Sequence, residues 1–322
     1  MDDMLRRYEI LCDRIGGDEA ADAAGRMRGG FYRTRSIRSG SMLEVQAYPL
    51  TGIKTRRAVA RMEITGEAQR KLNQKNAERR LARLAEANFT EKDYYFTGTL
   101  EGAELPGLDE MQKIIRGYMR RWKRARERIG LTEHRYIYVI EGHEDGDRKK
   151  RIHWHALLQG GLDRSECKKL WNRGRSRCDE LDPRGAGGLI PLARYLSKDP
   201  RGKRRWAASK GLKQPTVSVA DRKISARAAQ RVAGDAAGRA AALEKLYPGY
   251  EFVECEVRSN PYIAGVYIYA VMRRSQHETV GRGGANPSDA VGGVQRGKVA
   301  GAGDAVSRAQ RGTAGKGRGG AV

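Results

Sequence analysis

Arg151-Ile-His-Trp-His-Ala-Leu-Leu158 sets two histidines, His153 and His155, into an otherwise apolar run. Ile152, Trp154, Ala156 and Leu158 are the apolar partners in this alternation, which is the pattern of a buried β-strand. Successive side chains of a strand point to opposite faces, so His153 and His155 share one face and Trp154 packs on the other. Two imidazoles side by side are ready ligands for one metal ion. An isolated His-x-His more often marks a strand with a solvated face, so the surrounding residues decide the matter.

Immediately upstream, residues 142–150 carry the glycine, aspartate and charge expected of a hairpin loop, with His143 in it as a bystander. Before the loop, residues 134–141 form a strand on which Ile137, Val139 and Glu141 share a face. With antiparallel pairing, Glu141 lies beside the start of the histidine strand. It can then join the imidazoles as a third ligand, leaving positions open for water or a phosphate oxygen. The alternative for Glu141 is an exposed strand end.

Residues 111–129 bring Met111, Ile115, Tyr118, Met119, Trp122 and Ala125 round at threes and fours, a helix with one core face and Asp109 as its cap. The other face is basic. Arg120 and Arg124 on it, with Lys210 and Lys213 downstream, are the candidate DNA contacts. Further back, residues 94–100 make a strand around Gly98, and residues 67–87 a polar helix that is either solvated or DNA-facing. Residues 43–50 form a strand ending at Pro49, and a short helix is expected over 4–14.

Downstream, Asp163 or Ser165 caps a helix holding Cys167, and Arg- and Gly-rich loops follow at 173–177 and 184–188. Residues 189–198 open a helix near Pro191. Tyr195 and Lys198 lie three apart on it and so share a face. An activated phenol can attack phosphorus, and a lysine one turn on can stabilise a phenolate and hold a phosphate. A helix over 225–246 and strands over 252–257 and 265–272 complete the sheet. From residue 275 the chain is Gly, Ala and Arg with no apolar period, a disordered basic tail.

The 322 residues carry 63 Lys and Arg against 39 Asp and Glu, a formal charge of +24, which favours a polyanionic partner such as nucleic acid. No apolar run suits a membrane span, and residues 1–6 do not open a signal peptide. Cys12, Cys167, Cys178 and Cys255 lack metal-type spacing and are expected as reduced thiols of a cytoplasmic protein.

These segments, taken in order over about residues 60–275, resemble the HUH endonucleases that initiate rolling-circle replication in phages and small plasmids. Residues 94–100 resemble the family's first motif strand, and His153-Trp-His155 its His-hydrophobic-His motif. Glu141 sits where the family often places a third ligand. Tyr195-Leu-Ser-Lys198 is similar to its nucleophile helix, and residues 207–215 to a segment of filamentous-phage initiators. A second tyrosine is absent from the 195–199 turn, so the resemblance is to single-tyrosine enzymes.

The resemblance implies a divalent ion, Mg²⁺ or Mn²⁺, with Zn²⁺ open on ligand chemistry. It implies attack by Tyr195 on single-stranded origin DNA, a 5′-phosphotyrosyl intermediate and a 3′-hydroxyl that primes host polymerase. No Walker motif is present, so helicase activity comes from a host partner, in the cytoplasm of a bacterial cell. The expected fold is α+β, a central antiparallel sheet with helices outside and the metal on the open face. The expected divisions are an N-terminal extension over 1–60, a nicking domain over 61–275 and a tail over 276–322. The competing readings are a transposase or relaxase, a non-enzymatic nucleic-acid-binding protein, and a cupin, for which Glu166 and His277 are badly placed.

Overall fold

The computed structural model describes residues 3–15, 17–27, 31–50, 65–102, 106–145, 148–198, 205–234, 236–260 and 263–275. The expected basic tail lies outside these residues. The helices are α1 (Asp3–Leu11), α2 (Gly17–Gly25), α3 (Gly66–Asn88), α4 (Leu108–Arg128), α5 (Arg164–Lys169), α6 (Ile190–Leu196), α7 (Ala226–Ala233) and α8 (Ala236–Leu246). The strands are β1 (Asp13–Ile15), β2 (Phe31–Ser39), β3 (Met42–Leu50), β4 (Tyr94–Thr99), β5 (Tyr136–Asp145), β6 (Arg148–Leu158), β7 (Ser176–Glu180), β8 (Ala207–Ala208), β9 (Thr216–Asp221), β10 (Tyr250–Asn260) and β11 (Ile263–Arg274).

The class is α+β as expected, but the strands make two antiparallel sheets rather than one. A five-stranded sheet runs β7-β4-β6-β5-β8 and places the histidine strand at its centre. A six-stranded sheet runs β1-β10-β11-β3-β2-β9. Residues 31–50 are therefore not part of an extension: β2 and β3 are inner strands, paired from Phe31↔Leu50 to Ser39↔Met42. Alternation in a sequence identifies a strand and its faces but not its partner, so it does not separate β10 and β11 from the histidine sheet.

Three apolar cores separate the layers. The outer face of the six-stranded sheet, including Val45, Ile268 and Ala270, packs on α2, α7 and α8. Its inner face, with Tyr48, Tyr267 and Val271, meets Val139 and Leu157 of the other sheet, and α1, α3 and α6 fill the space between. The far face of the five-stranded sheet, with Phe96, Ile140 and Trp154, is covered by Ile115, Tyr118 and Trp122 of α4. The site face is thus covered in part, not open as expected.

Helix α3 is neither a solvated nor a DNA-facing helix. Thr65 caps it by accepting from the Ala68 amide at 3.1 Å. Buried Arg79 pairs with Glu9, which also accepts from the Tyr267 hydroxyl at 2.6 Å. Arg83 forks onto Glu44 at 2.7 and 2.6 Å, and the Tyr269 hydroxyl donates to Glu44 at 2.9 Å. Two buried charges left in this layer without partners would each be costly, so these arginines fix how α3 seats on the sheet.

Other local differences have simple causes. Gly107, not Asp109, is the N-cap of α4, and Asp109 sits in its first turn beside the positive end of the helix dipole. The helix expected over 225–246 is broken after Ala233, where Gly234 caps α7. The expected loop over 142–150 is largely strand, since β5 runs to Asp145 and β6 starts at Arg148. The Arg- and Gly-rich loop at 173–177 hides the start of β7.

Gly98 is demanded by packing. It pairs with Trp154, and a Cβ there would stand 2.2 Å from the indole Nε1 of that fully buried side chain. Gly98→Ala is expected to destabilise the protein by about 1–3 kcal/mol through overpacking, read as a lowered denaturation midpoint. An unchanged midpoint would mean that Trp154 can move aside at no cost.

Candidate metal centre and tyrosine

The register sets the site. Within the five-stranded sheet, Glu141 stands opposite His153 and Val139 opposite His155 on one side of β6. On the other side, Thr97 stands opposite His155 and Thr99 opposite His153. Cross-strand neighbours share a face, so all of these point away from Trp154 and α4.

The three side chains that sequence reasoning singled out as ligands come together. Glu141 Oε2 lies 3.6 Å from His153 Nε2 and 3.8 Å from His155 Nε2. The ligand atoms of the three residues lie within 4.8 Å of one another. The shorter separations suit one ion bonded to each at about 2.0–2.2 Å. Glu141 and His155 are buried, while His153 is half-buried and marks the side open to solvent.

Two further residues hold His155. Its Nδ1 lies 2.7 Å from the Tyr95 hydroxyl and 3.0 Å from Thr97 Oγ1. When Nε2 serves as a ligand, the proton sits on Nδ1 and these oxygens accept it, fixing the ring's orientation. The Tyr95 ring also stacks on the imidazole, with centroids 5.5 Å apart. Burial pushes the Tyr95 phenol up to about 12. Sequence reasoning misses these roles because they depend on β4 pairing with β6. The alternating Tyr95, Thr97 and Thr99 are the only trace of them in the sequence.

Tyr195 joins the cluster from a different element. Its ring centroid lies 5.9 Å from that of His155, edge to face, and the side chain is 52% exposed. Lys198 does not share its helix, because α6 ends at Leu196. The Ser197 hydroxyl turns back onto the Ala193 and Arg194 carbonyls, and the Lys198 amide bonds Tyr195 O at 3.2 Å in a last tight turn. Lys198 is exposed beyond that turn.

The four expected DNA contacts are exposed but are not brought to the cluster. Arg120 and Arg124 ride on α4, across the sheet from the histidine face. Lys210 and Lys213 follow β8, which pairs at the Ile137 end of β5, several residues along the strand from Glu141. Arg177 of β7, read in the sequence as loop, is nearer. It stands opposite Thr97 in the same cross-strand row as His155, exposed and paired with Asp179 at 2.6 Å.

The start of α6 rests on Glu86. Burial pushes this carboxyl up to about 7, against the lowering effects of the Leu189 amide and the Arg273 charge. A carboxyl raised in the folded state adds stability that is complete below its unfolded range, near pH 4.3, and is lost as pH rises through about 7. Melting of the wild type should therefore show a loss on the order of 3 kcal/mol from pH 4 to pH 8 that Glu86→Gln lacks. The same loss in the variant would assign the titration to another group.

The molecule is thus an α+β protein with a two-histidine, one-carboxylate cluster on a central antiparallel strand and a tyrosine beside it. Residues 93–200 match the family model of the replication-associated protein ORF2, a segment that spans β4 to α6 and contains all four of these residues. The match supports a role in replication initiation. No curated protein and no solved structure matches the chain. Among the described residues, no helix is long and apolar enough to cross a membrane.

Proposed function

We propose that this protein initiates rolling-circle replication as an HUH-type endonuclease, nicking and rejoining single-stranded origin DNA through Tyr195. The observation that carries this reading is the meeting of Tyr195 with the Glu141–His153–His155 cluster, from elements far apart in the chain. The match to a replication-associated family over the same residues supports it.

In this reading Glu141, His153 and His155 hold a divalent ion, and the mixed nitrogen and oxygen donors suit Mn²⁺ better than Mg²⁺. When bound, the ion supplies Lewis-acid stabilisation of charge on the scissile phosphate. Tyr95 and Thr97 keep His155 aimed. The Tyr195 oxygen forms a bond to phosphorus as the bond from phosphorus to the 3′-oxygen breaks. The phenol proton passes to solvent, and the departing 3′-oxygen takes up a proton. The half-exposed phenol is accessible to a strand lying across the open side of the site. Arg177 is placed to meet a neighbouring phosphate of that strand.

The deciding experiment uses single-stranded DNA carrying the replicon's own origin, labelled 3′ of the nick, with Mn²⁺ or Mg²⁺. Label that migrates with the protein under denaturing conditions, and disappears with EDTA, supports the reading. DNA binding without any adduct on that origin would instead favour a non-enzymatic nucleic-acid-binding protein.

A further inference from the structure

Helix α6 is only seven residues long and has no side-chain cap of its own. So short a helix is unstable without external support. That support comes from α3, at both ends. The Glu86 carboxylate accepts the Leu189 amide at the N-cap of α6. Twelve residues earlier on α3, about 18 Å along its axis, Gln74 Nε2 donates to the carbonyl of Ser197, the C-cap of α6, at 2.7 Å. Between these points Leu81, Leu84 and Ala85 of α3 pack with Ile190, Ala193 and Leu196.

The chain before α6 is shaped around the carboxylate. Gly188 adopts a φ of +55°, and a Cβ on it would stand 2.2 Å from Glu86 Oε1. Arg273 of β11 donates to the Gly185 carbonyl in the same turn. The Arg194 guanidinium on α6 pairs with Glu254 of β10. Helix α6 therefore touches the metal cluster through Tyr195, while its position is set from the opposite side.

We propose that Glu86 and Gln74 are positioning residues for the reaction, clamping α6 between them so that the Tyr195 phenol is held at the metal cluster. Neither residue touches DNA or the reacting atoms; each acts through the backbone of α6. This inference rests on the reading of Tyr195 as the nucleophile. A displacement of an attacking group by about 1 Å costs on the order of 100-fold in rate, so loss of either clamp should slow strand attack without weakening DNA binding.

The test is made on the full chain with Glu86→Ala, Glu86→Gln and Gln74→Ala. Amide hydrogen exchange, measured without DNA, should quicken about tenfold or more over residues 189–197 in Glu86→Ala. It should stay unchanged over β4, β5 and β6. Glu86→Gln retains an acceptor for the Leu189 amide and should restore most of the protection. Adduct formation at saturating origin DNA should slow about 10- to 100-fold in Glu86→Ala and Gln74→Ala, with the half-saturating DNA concentration unchanged. Unaltered exchange over 189–197 overturns the clamp, as does faster exchange with a wild-type rate of adduct formation. A wild type that forms no adduct sinks the role of Tyr195 instead, and the exchange measurement still decides whether the clamp exists. If Glu86→Ala does not fold, Gln74→Ala at the half-buried end decides alone.

Discussion

Tyr195→Phe is expected to abolish the covalent protein–DNA adduct, a loss of about 1,000-fold or more in the rate of strand attack, while fold and DNA binding persist. The substitution removes a single oxygen from a half-exposed ring, so little packing is lost. The phenylalanine ring can keep the edge-to-face contact with His155. What disappears is the only atom of that side chain able to bond to phosphorus. The check is the labelled-DNA gel, with a melting curve to show that the variant is folded. A surviving adduct would move the nucleophile to another residue. Tyr95 is the nearest tyrosine on the same face, but it is committed to His155 Nδ1 and its phenol is pushed up to about 12 by burial.

The second large effect is expected at His155. Removing this imidazole leaves Glu141 and His153 as a two-point site, and Mn²⁺ affinity measured by calorimetry should fall by about 100-fold or more. The adduct should fall with it and recover in part at high Mn²⁺. His155 is the ligand with an oriented partner set, so its loss should exceed that of the more exposed His153. Equal Mn²⁺ affinity in wild type and His155→Ala would show that the ion, if it binds, sits elsewhere.

The cluster is largely legible in the sequence because its information is local. His153 and His155 are two apart on one strand, and Glu141 lies across one hairpin. The position of Tyr195 is not legible as geometry. Only the order of motifs suggests it, because α6 reaches His155 through contacts with α3 and β10, more than 50 residues away in either direction. The same holds for Tyr95 and Thr97, whose role needs the pairing of β4 with β6 across the whole of α4. The separation of the strands into two sheets is hidden for the related reason that β3 and β11 look alike, buried on both faces, wherever they pair. Helices are legible where apolar periodicity is strong, as in α4. The break at Gly234 is not, because alanine-rich sequence carries little periodic contrast.

The six-stranded sheet is stitched from residues 13–50 and 216–274, with the entire metal centre lying in the chain between them. That arrangement has a consequence for synthesis on the ribosome. The strands of the histidine sheet are complete once Ala208 has emerged, but β3 has no neighbour on its inner side until β11 appears. Until then α3 lacks Tyr267 and Tyr269, which later close its buried charge pairs. Long-range closure of this kind is slow relative to local pairing. A chain released early, before Arg274, would carry every ligand of the metal centre on a scaffold that cannot hold them together.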